Sequence, residues 1–150
     1  YPGVGRFIEQ CIGECRNVGY VTTLTGRIRR LPHINSSKAA ERLQAERQAV
    51  NSKIQGSAAD IAKKAMVNIE KRLAQVFPNR KNVLLKDREA GHLVLQLHDE
   101  LIFEVAKHNV HIMSSIIKDE MENTIRLNVP LPVIVKAGNS WGQLKIMEIS

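Results

Sequence analysis

The stretch Leu93 to Val105, LVLQLHDELIFEV, decides the fold. Leu93, Val94, Leu95, Gln96 and Leu97 form one β-prone run, and Leu101, Ile102, Phe103, Glu104 and Val105 form another. The polar triplet His98-Asp99-Glu100 separates them. Short apolar runs bounded by polar residues read as buried strands, so two buried antiparallel strands meeting at a polar corner are expected. That corner delivers adjacent carboxylates to one exposed point on a rigid scaffold, an arrangement that suits hard cations such as magnesium. Two solvated acids in a turn are the plainer reading of the same residues. Alternation sends consecutive side chains to opposite faces, so Asp99 is the candidate ligand of the pair. His98 is either a structural residue or a hydrogen-bond donor to a nucleic-acid backbone or base edge.

Upstream, Ser36 and Ser37 are placed to cap a helix from about Lys38 to Asn51, and an apolar stripe continues through Ile54, Ala58, Ile61, Ala65, Ile69, Leu73 and Val76. The two predict either separate helices or one helix bent near Asn51 to Gly56. Within this stretch Arg47, Asn51 and Gln55 stand at i, i+4 and i+8, which makes one ridge if the helix is continuous. A guanidinium and two amides there can donate to the minor-groove acceptors that all base pairs present. A solvated polar face is the alternative.

Farther upstream, Val4, Phe7, Ile8, Cys11, Ile12 and Cys15 recur at helical spacing from Pro2 to about Asn17, with Gly19 as the stop. Tyr20 to Leu24 and Arg27 to Leu31 then predict a hairpin around Thr25-Gly26. Arg27, Arg29, Arg30, His33 and Lys38 give it a basic tip suited to phosphate contact, or a solvated charge run. Cys11 and Cys15 read as small core residues, with no second pair to complete a zinc site. The opening Tyr1-Pro2-Gly3 has no initiator Met and predicts a segment of a longer chain.

Pro78 stops the long helical region, and Asn79 to Gly91 reads as an exposed loop. Beyond the central stretch, Val110, Met113, Ile117 and Met121 predict a helix from about Asn109 to Arg126. Val133 to Val135 predict a last strand after Pro130 and Pro132. His108 and His111 lack a third ligand and do not make a metal site. The class expected is α+β, with helices packed on a small antiparallel sheet and a β-hairpin beside it.

Composition agrees. With 150 residues, 43% hydrophobic and 25% charged, disorder and collagen-like sequence are excluded. Lys plus Arg is 22 and Asp plus Glu 15, a net charge of 22 − 15 = +7 that favours a polyanionic partner. Aromatic residues are only 4%, so groove and phosphate contacts rather than base stacking would have to bind it. No apolar stretch is long enough for a membrane span and no signal segment opens the chain, which predicts an intracellular protein with no membrane partner.

Together GYVTTLTGRIRRLPHI (19–34), AERQAVNSKIQGSAADI (45–61) and LVLQLHDELIFEV stand in an order and at distances that resemble the C-terminal part of family A DNA polymerases. The resemblance covers nearly the whole chain, through NSWGQL at 139–144, and is closest to the eukaryotic theta or nu branch. It implies that residues 1–150 are the C-terminal part of a polymerase catalytic domain, a palm-type sheet with part of the fingers. The implied function is template-directed DNA synthesis in repair or lesion bypass, in the nucleus. The primer 3′-hydroxyl attacks a dNTP in a two-metal mechanism with magnesium. On this resemblance Asp99 holds the metal ions together with an Asp outside the chain, and Glu100 supports the site. Arg47, Asn51, Gln55 and His98 line the template-primer DNA, and Arg27, Arg29 and Arg30 contact it as well. The partners are template-primer, dNTP and the remainder of the polymerase, and the fragment alone is expected to be inactive.

One departure stands out: Gly26-Arg27-Ile28-Arg29-Arg30-Leu31-Pro32 has Ile where the family pattern has its second Arg. A non-catalytic duplex-binding module with a polymerase-like fold is the alternative. A nuclease using the same acids would need further clustered carboxylates, of which only Glu104 is near in sequence.

Overall fold

A computed structural model describes residues 1–78 and 91–149. The expected loop at 79–91 lies outside the described residues except for Gly91. Contacts divide the chain into two units, Tyr1–Ile61 and the remainder from Ala62.

The first unit begins with α1 (Pro2–Val18), whose proline sits in the first turn where no N–H is missed. Gly19 ends it in the left-handed conformation (φ 77°) and returns its N–H to the Cys15 carbonyl at 2.7 Å. Strands β1 (Tyr20–Thr22) and β2 (Ile28–Arg30) follow as an antiparallel hairpin, pairing Tyr20 with Arg30 and Thr22 with Ile28. Then comes α2 (Ala39–Val76), 38 residues without interruption. At its entry the Ser36 hydroxyl accepts the Lys38 N–H at 3.2 Å and donates to Glu41 at 2.7 Å. Cys15, Val21, Leu31, Ile34, Ala45 and Ala49 form this unit's core. Both thiols are buried, which raises their pKa and leaves them as packing groups. Arg16 to Glu46 (2.5 Å) and Lys53 to Glu14 (3.0 Å) join the outer faces of α1 and α2.

Helix α2 runs unbroken through Asn51 to Gly56, which selects one helix over two, although Asn, Ser and Gly there are poor helix formers. The hairpin supplies the reason. Ser52 returns its hydroxyl to the Gln48 carbonyl at 2.5 Å and accepts from Arg29 at 2.8 Å. Ser57 bonds back to the Lys53 carbonyl and accepts the Leu24 N–H at 2.9 Å. Tertiary docking thus overrides weak local propensity.

In the second unit, Ile69 and Leu73 of α2 pack with Met113, surrounded by Phe77, Leu101, Phe103 and Val105. Strands β3 (His92–Leu97) and β4 (Glu100–Glu104) form a second antiparallel hairpin. Gly91 opens it at φ 113°, where a Cβ would lie 2.7 Å from the Glu104 carbonyl oxygen. A turn of 3₁₀ helix (Lys107–Asn109) leads into α3 (Val110–Glu122). That helix ends four residues before the expected Arg126, where the Asn123 amide turns back to the Asp119 carboxylate at 2.8 Å.

Two expectations are corrected here. The strands β3 and β4 are not both buried: Val94, Leu95 and Leu97 are exposed, and β4 is half-buried at its centre. The cause is a bulge between Leu93, paired with Phe103, and Leu95, paired with Ile102. Phe103 and Ile102 point to opposite faces, so Leu95 and Leu97 turn away from the face that carries Leu101, Phe103 and Val105 onto the core. The last strand is not Val133–Val135 but β5 (Lys136–Ala137), paired with β6 (Lys145–Ile146) beyond a 3₁₀ turn at Trp141–Gln143. Pro130 and Pro132 remove ladder donors just upstream, and the Val133 N–H goes to the Glu122 carboxylate at 2.9 Å instead.

The class is α+β, as expected, with three separate two-stranded ribbons among the described residues. Among those residues no helix is long and apolar enough to cross a membrane.

Candidate nucleic-acid interface and acidic corner

In the first unit, the continuity of α2 puts Arg47, Asn51 and Gln55 on one ridge, all three exposed. Ala45, Ala49, Ser52 and Ser57 occupy the buried side of the same helix. A small cleft of about 230 Å³ separates the ridge from the hairpin, lined by Asn51 and Gln55 on one wall and Thr23, Arg27 and Arg29 on the other.

The three hairpin arginines are all exposed, and two of them are also bonded to α2. Strand alternation sends Arg27 and Arg29 to the α2 side, while Ile28 and Arg30 face the other way. The Arg27 guanidinium reaches Asp60 at 2.8 Å through Nε and the Gly56 carbonyl at 3.1 Å through Nη2. Arg29 is tied to Ser52. Hydrogen bonds from Thr23 and Thr25, with that from Arg27, hold the Asp60 carboxyl down at about 2. Ile28, the departure from the family pattern, is 55% exposed on the outer face and takes no part in this docking.

In the second unit, Leu97 pairs with Glu100, leaving His98-Asp99 as a two-residue turn. His98 has φ 55°, and among the described residues it is the non-glycine residue with positive φ. Turns of this length usually place glycine at such a position, so a histidine there holds strain of about 1 kcal/mol or more. Asp99 and Glu100 are exposed. Both also line a cavity of about 510 Å³ with Leu101, Phe103, Met113 and Trp141. Among the described residues no group of three or more His, Cys, Asp or Glu side chains stands ready for a metal ion.

A family model described as DNA polymerase family A matches residues 1–143. The chain belongs to DNA polymerase family A. Its relatives include DNA polymerase theta from Mus musculus, 40% identical over 99% of this chain, and from Drosophila melanogaster, 42% identical over 99%. DNA polymerase I from Treponema pallidum is 44% identical over 95%. The theta branch is compatible with these relatives, of which the chain spans 7%, 7% and 13%. A solved structure, the POL domain of Pol1 from M. smegmatis in complex with DNA primer-template and dNTP, superimposes with a TM-score of 0.78 at 35% identity. It covers 87% of this chain, which spans 21% of that structure.

Within this family framework the sequence located the ridge and the corner but missed the dock between them in the chain, at Ser52, Gly56, Ser57 and Asp60. Its signal was present: a glycine followed by a serine inside a long helix marks a close approach by another segment. A Cβ at Gly56 would lie 2.9 Å from the Thr23 methyl.

Proposed function

We infer that this chain is part of a DNA polymerase that adds nucleotides from dNTP to a primer 3′-hydroxyl under template direction. The observation that carries the reading is the strained turn at His98, which presents two exposed carboxylates at the end of a hairpin in a family A chain. The donor set fits magnesium in part. Asp99 and Glu100 offer the hard oxygens that ion prefers, and because no three His, Cys, Asp or Glu side chains among the described residues are grouped to hold a metal, the rest of the shell comes from water, substrate or the remainder of the polymerase. Asp99 is the proposed metal ligand and Glu100 its support. When bound, two magnesium ions offset the charge that develops on the attacking and leaving oxygens of phosphoryl transfer.

Template-primer is the proposed ligand of the α2 ridge, as it is of the M. smegmatis structure. Arg47, Asn51 and Gln55 present donors that no base sequence excludes, because minor-groove acceptors occupy similar positions in every pair. His98 is placed with them as a donor to the DNA, and Arg29 and Arg30 as backbone contacts. Repair or lesion bypass in the nucleus is the finer reading, which rests on the resemblance to the theta branch.

Two measurements test these roles in the parent polymerase. Gln55→Ala is expected to cost about 1 to 3 kcal/mol of transition-state stabilisation, read as a loss in kcat/KM and in discrimination against a mispaired primer end. Unchanged extension and discrimination would remove Gln55 from the interface. His98→Gly separates function from folding. Glycine relieves the positive φ while loosening the unfolded chain, so stability should stay within about 1 kcal/mol. Extension should nevertheless fall. A variant as active as wild type would reduce His98 to a turn residue.

A further inference from the structure

Arg27 spends its guanidinium on α2 rather than outward. It bridges the Gly56 carbonyl and the Asp60 carboxylate, and the other Asp60 oxygen takes the Thr25 hydroxyl at 2.8 Å. Gly56 directly follows Gln55, so this clamp grips the helix backbone one residue from the amide placed in the groove. The fit leaves no slack: a Cβ at 56 would lie 2.9 Å from the Thr23 methyl and 3.3 Å from Arg27 Nη2. Arg27 and Thr23 also form the wall of the cleft that faces Gln55 and Asn51. Gln55 is an exposed side chain with three rotatable bonds, and Arg27 and Thr23 line the same cleft as it does.

We propose that Arg27, held by Asp60, is a positioning residue: it fixes the hairpin against α2 and so keeps the Gln55 amide where it tests the pair at the primer end. This rests on Gln55 being a minor-groove contact. It also replaces the expected phosphate contact by Arg27 with an indirect role, carried by a bond to the helix instead of to DNA.

The test is a double-mutant cycle in the full-length parent polymerase, reading extension from matched and mispaired primer ends for wild type, Arg27→Gln, Gln55→Ala and the double variant. Arg27→Gln is expected to lower mispair discrimination by roughly tenfold, the worth of one well-placed hydrogen bond, and to add nothing further in the Gln55→Ala background. Asp60→Ala breaks the same clamp from the α2 side and offers DNA no cation, so it should reproduce the loss; it carries the cycle should Arg27→Gln not fold. If Gln55→Ala itself leaves discrimination unchanged, the groove reading fails and the proposal with it. If Gln55→Ala acts but Arg27→Gln is silent or fully additive, the proposal alone fails. A weaker duplex affinity with a salt slope reduced by about one for Arg27→Gln, not seen for Asp60→Ala, makes Arg27 a direct phosphate ligand and overturns the positioning role.

Discussion

Asp99→Ala in the parent polymerase is expected to abolish primer extension, by about 10³-fold or more, while duplex affinity changes little. The size of the effect follows from chemistry. Phosphoryl transfer has little covalent work for side chains to do, so if Asp99 holds metal as proposed, its removal takes away the main source of charge stabilisation. Folding does not confuse the result, because Asp99 is exposed at a turn and surface changes of this kind stay within about 0.5 kcal/mol. Primer extension under single-turnover conditions, alongside a duplex-binding titration, makes the measurement. An active Asp99→Ala enzyme would point to the alternative of a duplex-binding module whose carboxylates do no chemistry.

The second large effect is on stability. Leu73 is completely buried beside Ile69 and Met113, and its truncation to Ala leaves a cavity that a helix-to-helix contact closes only in part. A loss of about 2 to 5 kcal/mol is expected, against a total of about 5 to 15 kcal/mol for a typical domain. Because contacts divide the chain into two units, hydrogen exchange along α3 and the end of α2 is a better monitor than a single melting curve. Protection there should fall, and Leu73→Met should restore most of it. Unchanged protection in the Ala variant would mean that this cluster is not the core of the second unit.

How much of this was legible in the residues depended on whether neighbours or period decided the outcome. Helix α1 and the hairpin at Thr25-Gly26 follow from local chemistry: a proline at the start, a glycine at each turn of the chain, apolar residues at helical spacing. The ridge of Arg47, Asn51 and Gln55 is legible because helical periodicity fixes it once α2 is continuous, and the continuity itself was not. That depended on Ser52, Gly56 and Ser57 finding partners on the hairpin, contacts more than twenty residues away that no local window contains. The facing of the hairpin arginines was hidden for a related reason. Counting arginines gave a cluster, while alternation along three residues of β2 splits it between two faces. At Val133 to Val135 composition indicated a strand, but the two prolines just upstream, Pro130 and Pro132, had already removed donors a ladder needs.

Val94 is the surplus residue of its ribbon. Six positions separate Leu93 from Asp99, yet the ladder advances as though there were five. Removing Val94 would set Leu93 and Leu95 side by side as ordinary neighbours, each still opposite its present partner, and the foundations on Ile69 and Leu73 would not change. What would change is the local twist, and with it the direction in which the acidic tip is aimed. Aim and anchorage are therefore separately encoded, the first by how many residues the strand contains and the second by which ones they are. A substitution scan varies only the second.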